Sequence, residues 1–254
     1  MKKNVMMRLA SFLLVAVLIS TSAISGTYAK YVTEGSANDS ARVAKWGVTL
    51  EMDGDSNFMN EYKTHDAKYS GKVSVKSSDD AKVVAPGTSS ADVDGGLTFK
   101  ITGTPEVATK VDISMTVNND IVLTAGEYDD ATTAVAGDKF TLSDNYYPVV
   151  YTLTQTADGQ GAENKVIASG NLNAIKTALE TYAQTAYYAP NTKLDATFQL
   201  TWAWAFNGAQ TLNGVDFDAD IVDKADTYLG NQAAVNSGNT KINYELTITV
   251  TQVD

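Results

Sequence analysis

The chain of 254 residues has no cysteine and a single histidine, His65. Without thiolates there is no disulfide framework, no CxxC redox pair, no cysteine nucleophile, no thiolate zinc site and no lipid anchor carried on a cysteine. Zinc catalysis ordinarily draws on two or three imidazoles, and a Ser-His-Asp triad would have to be built on this one ring. His65 sits in the polar stretch Tyr62-Lys63-Thr64-His65-Asp66, outside any HExxH or GxSxG pattern, and reads as an exposed loop residue. Positive charge is also scarce. Nineteen Lys and Arg face thirty Asp and Glu, and the resulting net charge of −11 repels phosphate backbones, which argues against a nucleic-acid partner.

Long apolar runs are missing too, apart from one at the start. Lys2, Lys3 and Arg8 precede an uncharged, mostly apolar run from Leu9 to Ile24, followed by Gly26-Thr27-Tyr28-Ala29. The charged, apolar and small-residue zones are those of a secretory signal peptide, and the run is shorter than the roughly 20 residues that span a bilayer. Thr27 and Ala29 occupy the small-residue positions before a cut between Ala29 and Lys30. Cleavage removes three positive charges and no negative ones, so the mature chain is more acidic still. With no second apolar stretch near Asp254, the exported product is expected to carry no stable membrane anchor after cleavage.

The rest of the chain is patterned for strands. Leu194, Ala196, Phe198, Leu200, Trp202, Trp204 and Phe206 alternate with Asp195, Thr197, Gln199 and Thr201, which predicts a long strand with one buried face. Ile242, Tyr244, Leu246, Ile248 and Val250 repeat the pattern against Asn243, Glu245, Thr247, Thr249 and Thr251, and Val111, Ile113, Met115 and Val117 do so against Lys110, Asp112, Ser114 and Thr116. Shorter candidates are Trp46 to Met52, Gly71 to Lys76, Leu97 to Thr102, Val149 to Gln155 and Lys165 to Ala168. Eight or nine strands separated by Gly, Asn, Asp and Thr turns predict an all-β fold, a single antiparallel β-sandwich with one or two short helices. The clearer helix places Leu172, Ile175, Leu179 and Tyr182 on one face with Asn171 as N-cap; the second runs from Asp220 to Leu229 with Gly230 as its stop. The expected organisation is a signal peptide over 1–29, a flexible segment over 30–45 and one β-sandwich domain over 46–254.

Two clusters invite a ligand. Asp216, Asp218 and Asp220, followed by Asp223 and Asp226, are spaced so that the first three are candidate calcium ligands, although Ile221 and Thr227 occupy the positions where an EF-hand loop has glycine and glutamate. The same aspartates suit a solvated helix start, where the macrodipole favours negative charge. Apart from calcium no cofactor is expected. The pairs Tyr146-Tyr147 and Tyr187-Tyr188 are candidate stacking platforms for carbohydrate, each placed where the end of an element would bury one ring of the two.

The signal region and the segment after it carry a family likeness. Gly26-Thr27-Tyr28-Ala29, Lys30-Tyr31 and Asp39-Ser40-Ala41-Arg42-Val43-Ala44-Lys45-Trp46-Gly47-Val48 resemble the opening of exported proteins cut by the dedicated signal peptidase SipW, a group that includes the TasA/camelysin family of biofilm-matrix proteins. Val83 to Thr88, Trp202 with Trp204, Asp226 to Gly230 and the closing Thr249 to Asp254 look similar to a Gram-positive SipW-dependent branch. The resemblance implies a jelly-roll sandwich, a SipW-type signal peptidase as partner during export, and a secreted, non-enzymatic subunit of the extracellular matrix or cell surface that joins with itself into fibres. It also implies an N-terminal assembly segment that completes the sheet of the next subunit; here that is about 30–44, with Tyr31, Val32 and Val43 as its apolar anchors. Camelysin-type proteins have been classed as metallopeptidases, an activity one histidine does not support. The alternative is a soluble surface binding module for glycans or host components built on Tyr187 and Tyr188.

Overall fold

The computed structural model describes residues 42–53, 58, 61–62, 83–90, 96–133, 137–157, 164–206, 208–235 and 240–253. Residues 1–43 and 44–254 form separate compact units. Of the first, only Arg42 and Val43 are described, so the signal peptide, Thr27, Ala29, Lys30, Tyr31 and Val32 lie outside the described residues, as do His65 and the strand expected from Gly71 to Lys76.

In chain order the second unit contains β1 (Val48–Asp53), β2 (Glu61–Tyr62), β3 (Thr88–Ser89), β4 (Leu97–Gly103), β5 (Thr109–Asn119), β6 (Gly126–Asp129), β7 (Lys139–Leu142), β8 (Val149–Ala157), β9 (Lys165–Gly170), α1 (Leu172–Thr185), β10 (Tyr187–Tyr188), β11 (Leu194–Trp204), β12 (Gln210–Leu212), β13 (Val215–Phe217), α2 (Ala219–Ala234) and β14 (Asn243–Gln252). The all-β expectation holds: the chain is mostly strands with two helices, and every strand pair described is antiparallel.

The strand with the cleanest alternation is the axis of the larger sheet. β11 pairs with β4 on one side and β8 on the other; β8 pairs in turn with β9, and β4 with β1. Ala203 pairs with Val150 of β8 and, on the opposite side, with Ser89 of β3, so β3 and its partner β2 lie on the same side of β11 as β4 and β1. The smaller sheet has the order β10-β5-β14. Val111, Ile113 and Met115 of β5 and Phe99, Ile101, Leu153, Phe198, Leu200 and Trp202 of the larger sheet belong to one core. Register puts Phe198 opposite Phe99, and their rings stack 4.9 Å apart. Each of these side chains contributes about 1.5–3 kcal/mol by leaving water.

α1 starts where its apolar spacing and cap require. The Asn171 side chain accepts the Ala174 N–H at 3.0 Å, and Leu172, Ile175, Leu179 and Ala183 form the buried face. This helix packs against β5 of one sheet and β9 and β8 of the other, with the Tyr182 ring 4.9 Å from that of Phe198.

Three expectations fail in instructive places. β11 ends at Trp204 because Gly87 donates its N–H to the Trp204 carbonyl and a turn closes there; Phe206 leaves the buried row, lies 55% exposed and rests over Gly87. β1 begins at Val48, after Gly47 has turned the backbone to φ +56°, so Trp46 falls outside the strand. α2 does not stop at Gly230 but runs to Ala234, and it starts earlier than expected, with Asp218 as N-cap accepting from Ile221 N at 2.9 Å. The number of strands also exceeds the expected eight or nine, the additions being the hairpins β6–β7 and β12–β13 and the two-residue strands.

Candidate functional site

The two sheets are closed differently along their two sides. On the side of β9 and β10, α1 fills the gap between them. On the other side stand β1 and β2 of the larger sheet and β14 of the smaller, with Phe58, between β1 and β2 in the chain, reaching across. Its ring lies 5.7 Å from Trp202 and 6.1 Å from Tyr244 of β14.

Both rims of this side present apolar rows. In β1, Leu50 pairs with Ile101 and Met52 with Phe99, partners that are fully buried. Residues paired across a sheet share a face, so Leu50 and Met52 point toward the core layer. They are nevertheless 45% and 51% exposed. Across the seam, Tyr244, Leu246, Ile248 and Val250 of β14 share the face of Met115, Ile113 and Val111, which are buried, while they themselves are only half-buried. Among the described residues β1 pairs only with β4 and β14 only with β5, which makes both of them edge strands of the described sheets. Among the described residues the seam therefore combines edge strands with an apolar floor, the two features that strand addition uses.

The chain leading into β1 changes character over a few residues. Val43, one of the three residues expected to anchor an assembly segment, is exposed. From Lys45 onward the backbone is tied down: Lys45 N–H donates to Glu106 Oε2 at 2.8 Å, and Glu106 N–H to the Lys45 carbonyl at 2.9 Å.

The aspartate cluster is dispersed by local partners. Asp216 on β13 accepts from the Thr211 hydroxyl at 2.7 Å, Asp218 caps α2, and Asp220 pairs with Lys224 at 2.7 Å. Among the described residues no group of three or more His, Asp or Glu stands close enough to hold a metal ion. Asp226, the last of the series, is instead buried. It accepts from the Tyr146 hydroxyl at 2.7 Å and from the Trp204 indole N–H at 3.1 Å, and burial pushes its carboxyl up to about 7.

A half-buried acid, Asp120, stands outside every pattern visible in the sequence. It accepts from Ile121 N at 2.9 Å, from Leu172 N at 3.1 Å and from the Tyr151 hydroxyl at 3.4 Å, joining the end of β5 to the first turn of α1; burial raises it to about 6. Both acids are surrounded by donors from the fold itself. A helix N-cap motif points to Asn171, but nothing in the local sequence points to Asp120, whose helix and strand partners lie far along the chain.

The tyrosine pairs divide as expected, with one ring of each pair taken further into the fold. Tyr146 is buried, whereas Tyr147 is half-buried. Tyr188 is half-buried with its hydroxyl 3.0 Å from that of Tyr182, while Tyr187 is exposed with the Lys110 ammonium 5.7 Å from its ring centre. Lys110 also pairs with Asp112 at 2.5 Å. No protein-family model matches the chain, and no curated protein or solved structure matches it.

Proposed function

We propose that this protein is a secreted, non-enzymatic structural subunit of an extracellular or biofilm matrix, a TasA-like chain with jelly-roll connectivity that joins copies of itself by adding a strand at the open seam. The seam between β1 and β14 supports this reading: it combines strands that are edges among the described residues with apolar residues that face the core and remain half in water. The segment over 30–44 is the incoming strand, freed when a SipW-type peptidase cuts between Ala29 and Lys30. Tyr31, Val32 and Val43 supply its apolar contacts. Each backbone hydrogen bond made along the edge adds about 0.5–1.5 kcal/mol, and covering the exposed portions of Leu50 and Met52 adds about 1 kcal/mol each.

Buried Asp226 and half-buried Asp120 fit a structural role. Asp120 and Asp226 have the shifted acidities that catalytic acids often show, yet their oxygens are engaged by hydrogen bonds that hold helices in place.

The test compares protein starting at Lys30 with a form starting at Ala44, which keeps the Lys45–Glu106 pair. Size-exclusion chromatography and negative-stain microscopy are expected to give filaments from the longer form and monomers from the shorter. Equal assembly by both would remove the donor segment from the mechanism. Exposed Tyr187, braced by Lys110, favours the second reading, a glycan-binding surface module. Its test is retention on a polysaccharide panel that is lost on Tyr187→Ala.

A further inference from the structure

α2 packs on the core through one face, with the Tyr228 ring 4.9 Å from that of Tyr128. Its buried residues are Val222, Ala225, Asp226 and Leu229, so an acid sits in the middle of its apolar face. The donors to that acid come from two elements distant in the chain. Tyr146 lies between β7 and β8, held by reciprocal backbone bonds with Leu123 at 2.8 and 2.9 Å, and Trp204 is the last residue of β11. The Trp204 indole N–H is shared by both carboxyl oxygens at 3.1 Å, and the Tyr146 ring is covered on its edge by Phe217 of β13 at 5.3 Å.

The charged groups near this point are accounted for. Asp223, one turn earlier on α2, opposes a negative charge on Asp226. Lys224 is engaged elsewhere, pairing with Asp130 at 3.2 Å and with Asp220 at 2.7 Å. β13 keeps Asp216 on Thr211, β11 contributes the non-titrating Trp204, and the titratable group facing Asp226 from the β7–β8 connection is Tyr146 itself. No ion pair reaches Asp226 among the described residues.

We propose that α2 is a proton-operated clasp, closed on the sheets while the Asp226 carboxyl is neutral and loosened when it ionises. A neutral carboxyl retains enough acceptor capacity for the hydroxyl and the indole. An ionised one keeps the same two donors but brings an uncompensated charge among Ala225, Leu229 and two aromatic rings. Val222, Ala225 and Leu229, with half-buried Ile221 and Tyr228, hold the helix down, and ionisation raises the fraction of time it spends turned outward with its carboxylate hydrated. The acid titrates at about 7 when closed, against 3.8 for its ordinary value, so the closed form is favoured at low pH and the advantage is lost as pH rises to about 7.

The test is hydrogen exchange of α2 amides in the full chain between pH 5 and 8, each rate divided by that of the Asp226→Asn variant to remove the intrinsic pH dependence of exchange. The expected result is opening in the wild type that increases by up to roughly tenfold per pH unit between pH 5 and 7 and levels off above. In the unmodified protein the Trp204 indole resonance is expected to shift with a midpoint near 7, a reading available even if the variant fails to fold. Asp120→Asn serves as the control and is expected to leave the α2 profile unchanged. A flat ratio, an indole resonance that does not move between pH 5 and 8.5, or an α2 slope abolished by Asp120→Asn would each overturn the clasp.

Discussion

Asp120 shows how one side chain can tie two elements and make the tie depend on pH. Its carboxyl is lifted to about 6 by burial, while the N–H groups of Leu172 and Ile121 and the Tyr151 hydroxyl pull the other way. A raised acid stabilises the fold fully below its unfolded value and loses that contribution as pH climbs through its folded value. Between pH 4 and 6 the Asp120 contribution therefore falls, by at most about 3 kcal/mol. Asp120→Asn should flatten this part of the stability profile, measured by urea denaturation at each pH. An unchanged profile would mean that the carboxyl titrates as if in water. Asp195 behaves oppositely: Lys193, at 2.5 Å, holds it below the usual carboxylate range, so its small surface contribution disappears as pH falls through that lowered value.

At the scale of elements, α2 offers a simple gain. Gly230 lies inside the helix with no atom within 4 Å of where a Cβ would stand, and its backbone is not in the left-handed region. Gly230→Ala should raise stability by about 0.5–1 kcal/mol, seen as a higher midpoint in urea with the slope unchanged. Gly96 is the opposite case. Its φ is +76° and a Cβ would collide with the Leu200 carbonyl oxygen, so Gly96→Ala should lower stability by about 1–3 kcal/mol. The same contrast explains what the sequence makes legible. β11 and α1 can be read because alternation and a three-to-four spacing are enforced by a buried face, and Asn171 because a cap bonds only three residues ahead. Gly230 misleads because a glycine after an apolar row marks a stop only if the chain needs the left-handed turn there. The β12–β13 hairpin does have a local signal, separate from strand alternation: Asn213-Gly214, both at positive φ, is the sequence that such a two-residue turn prefers. Tyr146 and Trp204 meeting on Asp226 have no local signal at all, since three distant segments supply the contact.

For the whole molecule the decisive features are an excess of negative charge and a side where β1 and β14 are edge strands among the described residues. Leu50→Lys or Met52→Lys places a charge on the β1 rim, where each native side chain is about half in water. Each is expected to abolish filament formation in sedimentation assays while changing the melting temperature by no more than a few degrees. Assembly that persists in both would move the joining surface away from β1. The net charge of −11, more negative still once Lys2, Lys3 and Arg8 are removed, makes subunits repel, so added salt should speed assembly by screening. Calcium is expected to act only through such screening. Asp218 and Asp220 are already committed to a cap and to Lys224, so millimolar calcium should leave the melting temperature where an equal ionic strength of sodium chloride leaves it.

The partnership of β14 with β5 also sets the order of events when the molecule forms. Nearly the whole of β5 is paired with β14, from Asn119 against Asn243 to Thr109 against Gln252, while β10 offers β5 only two residues on its other side. A growing chain therefore carries the central strand of its smaller sheet largely unsatisfied until the far downstream segment arrives. Folding is expected to be slow and to commit late, because this closure spans a long loop and must precede the packing it permits. Until then the apolar row of Val111, Ile113 and Met115 stands without its main partner strand.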